Sequence, residues 1–225
     1  MGINVVERVD NLVKVRHILV SVSDKSGLDR FIPDLVEMNP QIQIFSTGGT
    51  YGCISEILDG SAGKRLMQVS EFTGQPETQG GLVKTLDFKI YLGLLTETYN
   101  AAHQNDLKRT GSVPIDMVVV NLYPFKATIS KPDVTVEQAR GNIDIGGPCM
   151  IRAAAKNFIR VASVVDPADY SRIISGLKEN QGSTSLKLRF ELARKAFDHT
   201  AVYDRTIADY LASKQTGDVI NCYQL

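Results

Sequence analysis

The 225-residue chain has no tryptophan, three cysteines and three histidines, and its 25 Lys and Arg are balanced by 25 Asp and Glu. Each shortage excludes something. Cys53, Cys149 and Cys222 are odd in number, far apart and free of CxxC or Cys/His spacing, which argues against a disulfide framework or a zinc site. No metal is therefore expected. His17, His103 and His199 form no ligand-spaced pair, and the chain contains neither a Ser/His/Asp order nor a GxSxG elbow. A formal charge of zero leaves no polybasic field to gather nucleic acid or an anionic membrane, so any anion must be bound locally. Apolar residues never run together for a membrane span, and the opening MGINVVERVDNLVKV carries acids where a leader needs an apolar stretch. Val6 stands where myristoylation requires Ser or Thr. A cytoplasmic protein is expected.

What is present is a 43% hydrophobic chain in which short β-rich runs alternate with helical patterns. HILVSVS (17–23), QIQIFS (41–46), RLMQVS (65–70), KIYLGLL (89–95), DMVVVNL (116–122) and RVASVVD (160–166) read as strands. Helical patterns follow from about Ser26 to Met38, from about Thr50 to Leu58 and over 98–110. The order predicts an α/β fold, a mainly parallel sheet covered by helices on both faces. The last third reads as helices over 167–180 and 185–214, with Leu188, Leu192, Phe197, Ala201, Ile207 and Leu211 available for one face. The expected organisation is a core over 1–166, a helical extension over 167–214 packed on it, and a loose tail over 215–225.

Two strand-to-helix turns carry the residues that hold anions. SVSDKSG offers Ser21, Ser23, Asp24, Lys25 and Gly27; FSTGGT offers Ser46, Thr47, Gly48, Gly49 and Thr50. One helix joins these two strands, so both turns fall on the carboxyl edge of a parallel sheet. Glycines let backbone N–H groups approach an anion, helix N-termini lend positive charge, and hydroxyls and a lysine complete a phosphate cradle. Ordinary caps and turn formers would use the same letters. Lys84 and Thr85 follow a glycine pair in a loop too polar for core, and Asn121 and Tyr123 close the most apolar strand. A solvated lysine, a turn-capping Asn and a half-buried Tyr remain open for these positions.

NIDIGGPCMIRAAAKN (142–157) sets Asp144 before a Gly146–Gly147 turn and puts Arg152 and Lys156 one helical turn apart. Like charges at that spacing cost about 0.2–0.5 kcal/mol unless something negative lies near. An acid and an amine brought to one pocket could exchange protons with a substrate. A structural ion pair of Asp144 with Arg152 or Lys156 is the alternative.

Taken in order, SVSDKSGL, FSTGGT, SEFTGQPE, GGLVKTL, VVVNLYPF, VTVEQA, NIDIGGP, RAAAKN, VVDPADY and LRFELARKAFDHTAVYD resemble the inosine monophosphate cyclohydrolase domain of the bifunctional purine-biosynthesis enzyme, over residues 17 to 212. The resemblance implies a three-layer α/β/α fold of the methylglyoxal-synthase type with a C-terminal helical extension. It also implies closure of 5-formamidoimidazole-4-carboxamide ribonucleotide to inosine monophosphate with loss of water, without cofactor. By position, Lys84, Tyr123, Asp144 and Lys156 match the family's reacting-centre residues. Ser23, Lys25, Thr47, Gly48, Gly49, Thr50 and Thr85 match its phosphate site, and Asn121, Ile145 and Gly146 line the base. A homodimer is implied, as is a separate formyltransferase polypeptide that supplies the substrate. The family usually reads GRVKTLHP where this chain has GLVKTLDF, so Leu82, Asp87 and Phe88 depart from it. Losing an arginine at Leu82 predicts a phosphate grip weaker by on the order of 1.5–3 kcal/mol. That departure supports a second expectation, a non-catalytic purine-nucleotide-binding module. A methylglyoxal-synthase-type lyase is disfavoured because no histidine falls in a strand-to-helix turn.

Overall fold

The computed structural model describes residues 5–75 and 84–224, so Leu82 and the glycine pair before it lie outside the described residues. A short strand β1 (Leu12–Lys14) leads to β2 (His17–Val22), β3 (Gln43–Ser46), β4 (Leu66–Gln68), β5 (Met117–Asn121) and β6 (Ala162–Val164). The last five form a parallel sheet in the order β4-β3-β2-β5-β6. β1 pairs antiparallel with β7 (Ser183–Ser185), a two-stranded clip that no apolar alternation announces.

Side-chain alternation along the strands feeds two cores. On one face Ile18, Val20, Ile44, Val119 and Val164 pack with Phe31, Ile32 and Leu35 of α1 (Leu28–Met38), Ile54 of α2 (Gly48–Leu58) and Ile173 and Leu177 of α9 (Tyr170–Glu179). On the other, Leu19, Phe45, Val118 and Val120 meet α4 (Phe88–Leu95), α8 (Gly146–Lys156) and α10 (Leu186–Ala212). The result is three layers, with the sheet buried on both sides. Shorter helices α3 (Val69–Thr73), α5 (Ala101–Thr110), α6 (Phe125–Ile129), α7 (Val136–Gly141) and α11 (Thr216–Ile220) fill the connections. Among the described residues no helix is long and apolar enough to cross a membrane.

The segment 89–95, expected as a strand, is helix α4. Asp87 N-caps it by accepting from the Lys89 N–H at 2.8 Å, and Ile90, Gly93 and Leu94 turn inward at helical spacing. A Cβ at Gly93 would stand 2.5 Å from the Val113 carbonyl oxygen, so the close approach of α4 to that segment requires glycine. The departure at 87 thus carries its own device for starting the helix.

Two buried arginines lock distant segments together. Arg160, 5% exposed, donates to Asp116 Oδ1 at 3.0 Å and to the carbonyls of Thr96, Gly93 and Ile115. Arg189, fully buried, donates to the carbonyls of Phe158, Ile159, Asp10 and Thr184, joining the end of α8 to the start of the chain and to β7. Burial pulls its pKa down to about 10, which leaves it charged at neutral pH.

The face of α10 differs from the expected one. Arg189, Leu192, Ala193, Ala196, Thr200, Tyr203 and Tyr210 are buried, whereas Phe197 and Leu211 are exposed. Residues 215–225, expected to be loose, contain α11 with a Gln215/Asp218 capping box, and Tyr223 Oη donates to Glu137 on α7.

Candidate functional site

Strand order fixes where a ligand can sit. β2 lies between β3 and β5, so connections leave its neighbours in opposite directions and a crevice opens at the carboxyl ends of β2 and β5. A cavity of about 470 Å³ occupies that position, within the range that holds small ligands.

The end of β2 and the turn after it bring Ser21, Ser23 and Lys25 to the cavity, and the start of α2 brings Thr47, Gly49 and Thr50. Ser21 Oγ and Thr47 Oγ1 are hydrogen-bonded at 2.8 Å, tying the two turns together. Thr50 Oγ1 accepts from Val22 N–H at 3.1 Å and donates to Val22 O at 3.0 Å, which fixes the start of α2 against the end of β2. Ser46 does not reach the cavity: it is fully buried and donates to Val20 O at 2.8 Å, a tie between β2 and β3. Gly48, at φ 44°, is not part of the lining but lies beneath Lys84, whose Nζ is 3.8 Å from where a Cβ at Gly48 would be.

Asn121 is placed at the cavity but its side chain is already engaged. Its Oδ1 accepts from the N–H groups of Ser23 at 2.7 Å and Asp24 at 2.8 Å, and its Nδ2 donates to Asp24 O at 2.8 Å. It therefore clamps the β2–α1 turn and occupies the Ser23 and Asp24 amides. In the first turn of α2, which has no side-chain cap, the Thr50 and Tyr51 amides donate to Thr47 O, so an anion there would be met by the Gly48 and Gly49 amides. Asp24, at the solvent edge, accepts from Ser26 N–H and Oγ, and these bonds hold its carboxyl below the usual range.

Lys84, Thr85, Tyr123, Asp144, Ile145 and Gly146 also line the cavity. Asp144 Oδ1 accepts from Gly147 N–H at 2.9 Å, and its own N–H donates to Tyr203 Oη at 2.8 Å. Both glycines that open α8 sit directly against side chains. A Cβ at Gly147 would stand 2.5 Å from Asp144 Oδ2 and 2.7 Å from Leu122, and one at Gly146 would overlap Thr85 Oγ1. Two helix N-termini, of α2 and α8, thus face the cavity with Lys25 and Lys84. Such a place suits a ligand carrying a phosphate at one end and developing negative charge at the other.

Lys156 is not brought to this site. It is exposed in the last turn of α8, ten residues from Gly146, or about 15 Å along the axis at 1.5 Å per residue. A cation there suits the negative end of the helix dipole. Arg152 lies with its guanidinium 5.6 Å from the centroid of the Phe197 ring, and among the described residues neither cation pairs with Asp144. Their proximity is relieved by helix polarity and an aromatic face. Gly141, Asn142, Ile143 and Met150 also line the cavity, and no motif or spacing singled them out. Among the described residues no group of His, Cys, Asp and Glu is placed to hold a metal ion.

Comparison with known proteins gives concordant likenesses. A family model described as the MGS-like domain matches residues 27–149, and one described as the AICARFT/IMPCHase bienzyme matches 154–224. The bifunctional purine biosynthesis protein PurH of Bacillus subtilis (strain 168) is 49% identical over 199 residues, covering 88% of this chain and 37% of its own length. PurH of Magnetococcus marinus is 46% identical over 202 residues, 90% of this chain and 37% of its own. The chain thus spans 37% of the length of these curated relatives. The crystal structure of ForH superposes with a TM-score of 0.72 at 29% identity, over 86% of this chain and 97% of that one.

Proposed function

Because the chain belongs to the MGS-like domain family, we propose that it is an inosine monophosphate cyclohydrolase, acting in purine biosynthesis on 5-formamidoimidazole-4-carboxamide ribonucleotide. The observation that carries the reading is the meeting of Lys84, Asp144 and the starts of α2 and α8 around one cavity of nucleotide size. The nucleotide's phosphate lies against the first turn of α2, Thr47 and Lys25. Its imidazole ring extends toward Asp144, Ile145 and Gly146.

In the reaction the carboxamide nitrogen attacks the formyl carbon and the formyl oxygen takes up negative charge. Lys84 and the amide end of α8 stabilise that charge, an interaction strongest in the transition state. Asp144 accepts the proton released by the nitrogen, and Tyr123, which lines the same cavity, orients the reacting groups. Asp144 returns that proton to the former formyl oxygen and the formamido N–H supplies the second; the C–O bond breaks as the ring C=N bond forms, water leaves, and the step balances without an oxidant. A second copy of the chain as partner and a separate formyltransferase as supplier belong to the same proposal.

The test supplies the purified protein with the formylated nucleotide and follows inosine monophosphate formation. Turnover is expected, and Lys84→Ala should lower it by at least about a hundredfold with the melting temperature retained. Binding of inosine monophosphate without any turnover would instead favour a nucleotide-binding module.

A further inference from the structure

Asp144 and Tyr123 come from different loops, and one residue of the C-terminal helix touches the support of both. Tyr203 of α10 is 9% exposed, and its hydroxyl oxygen accepts the Asp144 N–H at 2.8 Å. Its ring meets Phe125 edge to face, with centroids 6.3 Å apart and planes at 70°. Phe125, 1% exposed, donates its N–H to Tyr123 O at 2.7 Å across Pro124, whose φ of −75° and ψ of 70° make an inverse γ-turn. The exposed Tyr123 side chain is therefore carried on a three-residue turn whose anchor is the Phe125 ring.

We propose that Tyr203 is a positioning residue for the cyclisation: its hydroxyl sets the Asp144 peptide, its ring seats Phe125, and together these fix Asp144 relative to Tyr123. The inference rests on the cyclohydrolase reading and adds a residue some sixty positions along the chain from the loop it holds. Two features suit the phenol to this task. Burial, the largest influence, keeps the hydroxyl protonated and neutral, so the contact persists through the neutral and mildly alkaline range. The bond also fixes a peptide rather than a carboxylate oxygen, which leaves Asp144 Oδ2 free of the helix-capping bond that Oδ1 makes to Gly147.

Tyr210 supplies an internal control. It lies two helical turns further along α10, also packs edge to face on Phe125 at 5.8 Å and 87°, and its buried hydroxyl has no hydrogen-bond partner among the described residues. Phenylalanine at either position keeps the ring and removes the hydroxyl. Tyr203→Phe and Tyr210→Phe therefore differ in one respect, the bond to Asp144.

The experiment measures kcat, KM, melting temperature and the hydrogen-exchange rate of the Asp144 amide for the wild type and both variants. Tyr203→Phe is expected to lower kcat about tenfold, the worth of one hydrogen bond expressed in the barrier, with KM unchanged because the phosphate grip lies elsewhere. It should also speed Asp144 amide exchange about tenfold. Tyr210→Phe should leave all of these at wild-type values. Equal kcat and equal Asp144 exchange in Tyr203→Phe and wild type would overturn the proposal, as would an equal loss in both variants. If the wild type binds inosine monophosphate but does not turn over, the cyclohydrolase reading fails by itself. Tyr203 is then judged on exchange and nucleotide affinity, and an unchanged pair refutes its positioning role.

Discussion

Gly146→Ala separates the stability of this fold from the function of its site. Gly146 is the first residue of α8, and alanine in a helix is favoured over glycine by about 1 kcal/mol. Against this gain stands one contact: the new methyl would overlap Thr85 Oγ1, and Thr85 is only 5% exposed. Overpacking of this kind costs about 1–3 kcal/mol, so the net loss is about 0–2 kcal/mol, or less than about 8 °C in Tm for a chain of this size. The site is far less tolerant. Relief requires Thr85 to turn or its segment to retreat, and Thr85 is bonded in sequence to Lys84, which lies over Gly48. A displacement of about 1 Å at a reacting group costs roughly a hundredfold in rate. The expected outcome is a folded protein with turnover of the formylated nucleotide down by about two orders of magnitude. Thr85→Ala removes the overlapping oxygen and leaves Thr85 Cβ at 3.7 Å, an ordinary contact. The double variant should therefore be more stable than the two single effects summed, by about 1 kcal/mol or more in a double-mutant cycle. Wild-type turnover in Gly146→Ala, or strict additivity with Thr85→Ala, would refute the reasoning.

Arg160→Met is expected to destabilise the chain by about 3–5 kcal/mol in urea unfolding, because Asp116 stays buried after its partner at 3.0 Å is gone. Acid should weaken the fold through its histidines. Burial holds the pKa values of His17 and His199 below the ordinary 6.5, so both remain neutral in the folded chain where the unfolded chain binds protons. Their contribution is complete above 6.5 and declines as pH falls from there toward the lowered native values; unfolding midpoints at about pH 7.5 and 5.5 should differ, and His199→Gln should reduce the difference. Asn121→Leu releases the Ser23 and Asp24 amides. It should weaken nucleotide binding about tenfold, with a larger change in KM than in kcat when initial rates are compared.

Most of the layered architecture was legible because buried parallel strands write themselves as apolar runs between helical patterns, as MVVVN of β5 does. The same rule misread 89–95, since a seven-residue apolar run fits a strand or a buried helix, and Asp87 as an N-cap was the signal that decides it. The β1–β7 pair escaped because three-residue strands carry too few side chains to show a period. On α10 the inward face holds Arg189, Thr200 and two tyrosines while Phe197 faces outward. A polar buried face inverts the hydrophobic pattern from which sides are read. At the site, proximity in sequence misled for Lys156: twelve positions from Asp144 place it at the other end of a straight helix, and no local spacing could bring it back. Proximity in space was invisible for Tyr203.

Local rules are broken in this chain where the cavity needs them broken. Thr47 occupies the N-cap of α2 with a side chain that ordinarily accepts from the helix's first turn, yet its hydroxyl is bonded to Ser21 instead. That choice forgoes about 1 kcal/mol of helix stability and leaves the start of α2 without a side-chain cap at the crevice. Gly48 beside it adopts a positive φ of 44°, which keeps the floor beneath Lys84 free of a side chain. At α8 the capping oxygen comes from Asp144, so the group assigned to the chemistry also starts the helix. Exposed Ile145 and Tyr123, at 57% and 52%, flank these openings as apolar surface. Each feature is a small cost to the empty protein, and an anionic, ring-bearing ligand seated in the crevice would offset all of them at once. Because ligand binding stabilises the state that it binds, the same features that weaken the free chain favour its complex.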